Sequence, residues 1–150
     1  MKKQMFGVLL LLLVPTVFYT CKKDTKSGGD PLDKQASQSA DEAFYEAFSA
    51  APVQFDGYER NEYLEAQSAV RRCRGQHLAD PVRRRECVMP VVKIYIDKAN
   101  KKIDDLKASL EKLAEKATDS THKYEAVQKF VESRKKVIIM HQQALAELAD

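Results

Sequence analysis

The stretch that decides the fold is VKIYIDKANKKIDDLKASLEKLAEKA, residues 92–117. Its apolar residues recur at alternating spacings of four and three: Val92, Ile96, Ala99, Ile103, Leu106, Leu110, Leu113 and Ala117. This period is typical of an α-helix that packs a continuous apolar seam against another helix. We therefore predict a long helix here, and we interpret the seam as core rather than as a cofactor groove.

A second long helix is predicted to follow the turn-favouring residues TDST, 118–121. It runs to about residue 148, with an apolar stripe of Tyr124, Val127, Val131, Ile138, Leu145 and Leu148, thickened by Phe130, Val137 and Ala144. Because the connection is so short, the two helices are expected to fold back as an antiparallel hairpin over residues 91–149. The alternative is a single bent helix.

Arg134 and His141 interrupt the stripe of the second long helix. A polar residue in a helical seam can fix the register of packing at some cost in stability. Alternatively, both residues lie at the edge of the seam, with the arginine stem extending to water. The sequence identifies no partner that would make His141 a ligand.

A short amphipathic helix is predicted ahead of the hairpin. The segment SADE, residues 39–42, is a capping box that would start this helix at Ser39. Phe44 and Phe48 lie one turn apart and form a narrow apolar stripe. Pro52 is expected to end the helix.

A helical pair is predicted next. Its first helix, about 59–74, would follow a turn at Asp56-Gly57, and its second would start at Asp80-Pro81, a capping carboxylate followed by proline. Pro90 should kink or break that second helix, because proline lacks the N–H that the helix needs. Glycine is scarce and Ala, Lys, Glu and Leu are abundant, so we predict an all-α fold with one domain over residues 39–150.

The N-terminus has the organisation of an export signal. Met1-Lys2-Lys3 is followed by the uncharged apolar segment 5–19. That segment is 15 residues long, shorter than the ~20 that a membrane-spanning helix needs. Export and later removal of residues 1–20 are therefore predicted.

Cys21 follows this segment directly, in the sequence FYTCKKD, residues 18–24. The pattern resembles the signal of bacterial lipoproteins, although Phe18 and Thr20 stand where that family usually has Leu and a smaller residue. The resemblance implies that Cys21 becomes the N-terminus and carries acyl chains such as palmitate, so that the membrane is a partner. Lys22 after the cysteine implies the outer membrane of a Gram-negative bacterium, with the protein facing the periplasm or the surface. Residues 21–38 are polar and would form a flexible tether.

The cysteine count agrees with this interpretation. If Cys21 is acylated, Cys73 and Cys87 remain, and in an oxidising compartment they are expected to form a disulfide. A zinc site made of Cys73, His77 and Cys87 is the alternative, but it lacks an obvious fourth ligand.

Arginines are concentrated around these two cysteines, at Arg71, Arg72, Arg74, Arg83, Arg84 and Arg85. Guanidinium groups bind phosphates and carboxylates through two hydrogen bonds, which lysine cannot do. We therefore predict a contact with an anionic partner: lipid headgroups, lipopolysaccharide or an acidic protein face. The alternative is that neighbouring Glu and Asp side chains neutralise these arginines.

Other classes of function find little support. Without residues 1–20 the chain loses Lys2 and Lys3 and no acid, so its formal charge falls from +3 to +1, which does not favour nucleic-acid binding. The three histidines, His77, His122 and His141, are scattered and have no adjacent nucleophile. We expect neither an enzyme nor a bound cofactor or metal.

A second, more local resemblance concerns the segment between the cysteines. Tyr63, Cys73, Leu78, Asp80 and Cys87 follow a pattern similar to that of plasmid-encoded exclusion lipoproteins, but this chain continues for about 60 residues beyond it. The leading hypothesis is a non-enzymatic binding or scaffolding protein of the cell envelope. The alternative is an immunity-like or exclusion inhibitor that blocks an incoming toxin or conjugation machinery.

Overall fold

The computed structural model describes residues 31–150, with side chains from residue 36 onward. It contains three α-helices: α1 (Pro31–Gln76), α2 (Pro81–Lys116) and α3 (Ser120–Ala149). The all-α prediction is confirmed. The predicted signal peptide, Cys21 and residues 22–30 of the predicted tether lie outside the described residues.

Helix α1 is one continuous helix of 46 residues, so the predicted break at Pro52 and the turn at Asp56-Gly57 are wrong. The buried side chains Phe44, Ala51, Phe55, Ala66, Val70 and Cys73 keep a helical spacing on both sides of Pro52. Burying this stripe against two other helices offsets the cost of the proline, which is about 3 kcal/mol in a helix interior.

The predicted N-cap at Ser39 is also wrong, because α1 begins eight residues earlier at Pro31. Proline is favoured at the first position of a helix, where its missing N–H would have no intrahelical partner. Residues 31–38 of the predicted tether are therefore helical.

Helix α2 begins as predicted. The Asp80 carboxylate accepts hydrogen bonds from the backbone N–H groups of Val82 and Arg83, each at 3.1 Å, and Pro81 is the first helical residue. Pro90 does not break the helix, which continues to Lys116. The hairpin therefore includes ten more residues at its start than predicted.

Helices α2 and α3 are antiparallel, and the alternative of a single bent helix is wrong. Residues 117–119 connect them, with Asp119 in the left-handed conformation at φ 50°. Near the connection, Gln128 Nε2 of α3 lies 3.3 Å from Glu111 Oε1 of α2. Closer to the start of α2, the hydroxyl of Tyr95 lies 3.4 Å from His141 Nδ1.

Helix α1 runs antiparallel to α2 and parallel to α3. Lys98 Nζ of α2 lies 2.7 Å from Glu62 Oε2 of α1, while Arg134 Nη2 of α3 lies 3.2 Å from Asp56 Oδ2. The result is a three-helix bundle with up-down-up topology. One end holds the disulfide and the other holds the α2–α3 connection.

An ion pair at the second end binds the α2–α3 connection to α1. Lys123, which is buried, lies 2.9 Å from Asp41 Oδ1 and also donates to the backbone carbonyl of Thr118. Asp41 in turn accepts from the backbone N–H of Thr118 at 3.0 Å and from its hydroxyl.

The core of α2 is wider than the predicted seam. Ala99, Ile103 and Leu110 are buried as predicted, but Tyr95 and Ala114 are buried as well, while the other seam residues are partly buried at its border. The reason is that α2 packs against two helices, so its apolar face is broader than a two-helix seam.

Candidate binding surface at the disulfide-linked tip

Cys73 and Cys87 form the predicted disulfide, which connects the last turn of α1 to the second turn of α2 with a Cα–Cα distance of 5.7 Å. We call this end of the bundle, residues 71–93, the tip. Because the two sulfurs are bonded to each other, they are not available as the thiolate ligands of the alternative zinc site. Within residues 36–150, no group of three or more His, Cys, Asp or Glu side chains is arranged to hold a metal ion.

The backbone between the two cysteines is held by hydrogen bonds as well as by the disulfide. The N–H of His77 donates to the carbonyl of Cys73 at 3.1 Å, and the N–H of Asp80 donates to the carbonyl of His77 at 3.2 Å. Asp80 in turn caps α2, so both ends of the turn are held. Leu78, at its apex, is 69% exposed.

The six predicted arginines are all at the tip, but they do not form a single face. Arg71, Arg72, Arg74, Arg83 and Arg85 are exposed and Arg84 is half-buried. Arg72 lines a groove between α1 and α2, whereas Arg84 and Arg85 line a groove between α2 and α3. The cationic surface therefore surrounds the end of the bundle.

Neighbouring acids neutralise only part of this surface. Arg83 Nε lies 3.5 Å from Asp80 Oδ2, and Arg74 Nη1 is 3.4 Å from the carbonyl oxygen of Leu148. Among residues 36–150, the other four arginines are in no ion pair shorter than 4 Å. Residues 71–93 include seven basic and two acidic side chains, so the tip has a local excess of positive charge.

The two grooves differ in charge. In the α1–α2 groove, about 810 Å³, which extends from the tip toward the middle of the bundle, Lys98 pairs with Glu62 and with Glu65. The α2–α3 groove, about 760 Å³, is lined by apolar residues together with Arg84, Arg85 and Lys93, and Asp150 is the one acidic residue that lines it.

A buried polar layer separates the tip from the rest of the bundle, and each helix contributes one side chain to it. Glu59 of α1 is 3% exposed, and it accepts a hydrogen bond from the hydroxyl of Tyr95 of α2. His141 Nδ1 of α3 lies 2.5 Å from the same Glu59 oxygen, and its ring stacks on Tyr63 with centroids 4.0 Å apart. Burial, followed by the hydrogen bond to Glu59, raises the pKa of Tyr95 above its ordinary range.

The layer resolves the two alternatives for the polar seam residues. His141 contacts both other helices, as expected of a residue that fixes the register of packing. Arg134 instead lies half-buried at the border of the seam, where its guanidinium contacts Asp56 and lies over the Phe130 ring. Sequence reasoning identified His141 but not Glu59 or Tyr95. Tyr95 could have been identified, because it lies seven residues after Val88 and so on the same face of α2. No residue near Glu59 in the sequence indicates that this carboxylate is buried.

No family model, no curated protein and no solved structure matches this chain. Among the helices of residues 31–150, none combines the length and the apolar character needed to cross a bilayer.

Proposed function

We propose that this chain is an exported, lipid-anchored protein of the cell envelope that binds a partner at its tip and catalyses no reaction. The observation that carries the proposal is the direction of α1, which leads from the segment after Cys21 to the tip. Helix α1 begins at Pro31, ten residues after Cys21, and ends at Gln76 in the tip. At 1.5 Å per residue these ends are about 70 Å apart.

An anchor at Cys21 would place the tip far from the attachment point when the bundle stands upright. The arginines that have no ion pair and the exposed Leu78 would then face away from the anchoring membrane. Exposed arginines without an ion pair are typical of a protein-binding surface, because arginine is enriched among the residues that contribute most of the affinity. A scaffold that holds an anionic partner away from the membrane fits this arrangement.

The anchor is tested by metabolic labelling with an alkyne analogue of palmitate, followed by intact-mass measurement. We expect label in the parent and in the Cys73→Ser/Cys87→Ser variant, and none in Cys21→Ala. A parent that carries no acyl chain and still begins at residue 1 would refute the anchor.

Partner binding at the tip is tested by photocrosslinking in intact cells. A benzoylphenylalanine residue at position 78, in the apex of the tip, should give a discrete crosslinked product. The control is position 115, where Glu115 is equally on the surface but near the opposite end of α2. Equal crosslinking from both positions would contradict a tip-specific partner.

The second candidate, an exclusion or immunity-like inhibitor, is favoured by one observation. The turn of the tip presents Leu78 on a backbone fixed by a disulfide and a helix cap, as a blocking protein requires. Asp80, one of the residues that resemble the exclusion lipoproteins, is the N-cap of α2. Expression in recipient cells should then lower the frequency of conjugative transfer, and Leu78→Ser should restore it. Unchanged transfer with the parent protein would remove this candidate.

A further inference from the structure

The α2–α3 groove of the tip exists because α3 contributes small side chains there. Ala146 and Ala149 face Val88 and Val92 of α2, and two alanines do not fill the space between the helices. Pro81 and Val82, in the first turn of α2, also line the groove at the end of the bundle, which we call its open end.

The walls of the groove change in character along its length. Val92 and Ile96 line its inner part, and Arg84 and Arg85 line its open end. Arg85 and Ile96 are separated by 11 residues, or about 16 Å along the helix axis. The exposed side chains of Val82 and Met89, at 65% and 64%, extend the apolar surface at the rim.

We propose that this groove binds a single-chain fatty carboxylate. The acyl tail lies along Val92 and Ile96, and the carboxylate accepts hydrogen bonds from Arg84 and Arg85. The volume of about 760 Å³ is in the range of small-molecule sites, which are mostly apolar with a few polar groups that orient the ligand. Guanidinium groups suit a carboxylate because they bind it through two hydrogen bonds.

Charge and polarity favour this occupant over an amphipathic helix of a partner. Three basic residues, Arg84, Arg85 and Lys93, line the groove against the single acid Asp150. Two of the three lie together at the open end, which matches a ligand with one charged head and an apolar tail, and the third, Lys93, is exposed.

The acyl chains proposed for Cys21 do not match the proposed ligand, because an acyl chain bound as an ester or amide has no free carboxylate for Arg84 and Arg85, and the groove is distant from Cys21. Ile96 lies beside residue 64 of α1, as the Glu62–Lys98 pair shows, and this is about 50 Å from Pro31. Residues 21–30 span at most about 36 Å when fully extended. This exclusion rests on the proposed anchor, whereas binding in the groove does not depend on it.

The proposal is tested with the chain from residue 21 onward carrying Cys21→Ser, which retains every described residue, and with cis-parinaric acid as the fluorescent probe. We expect saturable binding of one probe per chain. Arg84→Ala/Arg85→Ala should weaken binding about tenfold or more, through loss of charge-assisted hydrogen bonds. Ala146→Phe, a change at an exposed position of α3, should fill the groove and abolish binding.

The matched control is Arg71→Ala/Arg72→Ala, which removes the same charge from the tip outside this groove and should leave binding unchanged. Circular dichroism and thermal melting establish that each variant is folded. The methyl ester of the probe should bind the parent more weakly and should be insensitive to Arg84→Ala/Arg85→Ala.

Five results would overturn the proposal. The first is that the parent does not bind the probe saturably, and the second is that both groove variants bind it as the parent does. The third is that zwitterionic lysophosphatidylcholine competes as well as oleate, which would mean that the carboxylate is not recognised. The fourth is that light scattering shows a dimer that Ala146→Phe dissociates, which would mean that a second copy fills the groove. The fifth is that an acidic amphipathic peptide displaces the probe more tightly than oleate does, which would mean that the groove is a peptide site.

Discussion

His141 Nδ1 of α3 lies 2.5 Å from Glu59 Oε1 of α1, and the hydroxyl of Tyr95 of α2 donates to the same oxygen. One buried carboxylate thus connects all three helices in the middle of the bundle. Because a buried carboxylate is costly unless its hydrogen-bonding partners are in place, the layer disfavours any register that separates these residues.

Glu59→Ala should therefore destabilise the bundle by about 2–4 kcal/mol, since it leaves Tyr95 and His141 without their acceptor. Urea denaturation measures the change. Glu46→Ala, at an exposed position of the same helix, is the control and should stay within about 0.5 kcal/mol of the parent. A double-mutant cycle with Tyr95→Phe should give a coupling above about 0.5 kcal/mol; additive effects would mean that the layer is not a unit.

The disulfide should contribute about 3 kcal/mol, because it closes a loop of 13 intervening residues in the unfolded chain. Cys73→Ser/Cys87→Ser should lower the urea midpoint of unfolding, because the unfolded chain without the bond has more conformational freedom. Adding dithiothreitol to the parent should reproduce the effect and should not affect the variant. Equal stability of the two proteins under oxidising conditions would contradict a structural role for the bond.

Pro52→Ala should stabilise the protein by up to about 3 kcal/mol, because proline is unfavourable inside a helix and α1 is continuous there. Pro81→Ala is the control: Pro81 occupies the first position of α2, where its missing N–H costs nothing, so little change is expected. Both variants are compared by thermal melting. No gain from Pro52→Ala would indicate that the helix is interrupted at this residue.

Stability should fall at acid pH through Asp41. Hydrogen bonds from Thr118 and Lys123 lower the pKa of this carboxyl below its usual 3.8. A group with a lowered folded-state pKa contributes stability above its unfolded pKa and loses it as the pH falls through the folded value. The contribution of Asp41 is thus present at neutral pH and is lost below about pH 4.

Asp41→Asn should accordingly melt below the parent at pH 7, and the difference should shrink as the pH falls below 4. Melting temperatures between pH 2 and pH 7 test this. Asp104→Asn, at an exposed position of α2, should follow the parent at every pH. A difference between Asp41→Asn and the parent that does not depend on pH would contradict the assigned ion pair.

Much of the architecture was predictable because its signals are local. The Asp80-Pro81 start of α2 depends on one side chain and two neighbouring N–H groups, and the turn after Ala117 depends on adjacent residues. The disulfide was predictable from the number of cysteines. The break at Pro52 was mispredicted, and at Pro90 the helix is also unbroken, because a proline has a local cost, whereas the burial that offsets it comes from residues on other helices.

The sequence by itself predicted the all-α fold, the start of α2 and the pairing of Cys73 with Cys87, and it favoured a hairpin of α2 and α3 over a single bent helix. Only the tertiary structure decided that α1 is a single helix, that Glu59 is buried beneath Tyr95 and His141, and that Arg72 lines one groove while Arg84 and Arg85 line another. The physical reason is that helical period and capping act within a few residues. Burial, by contrast, depends on which faces of distant helices meet.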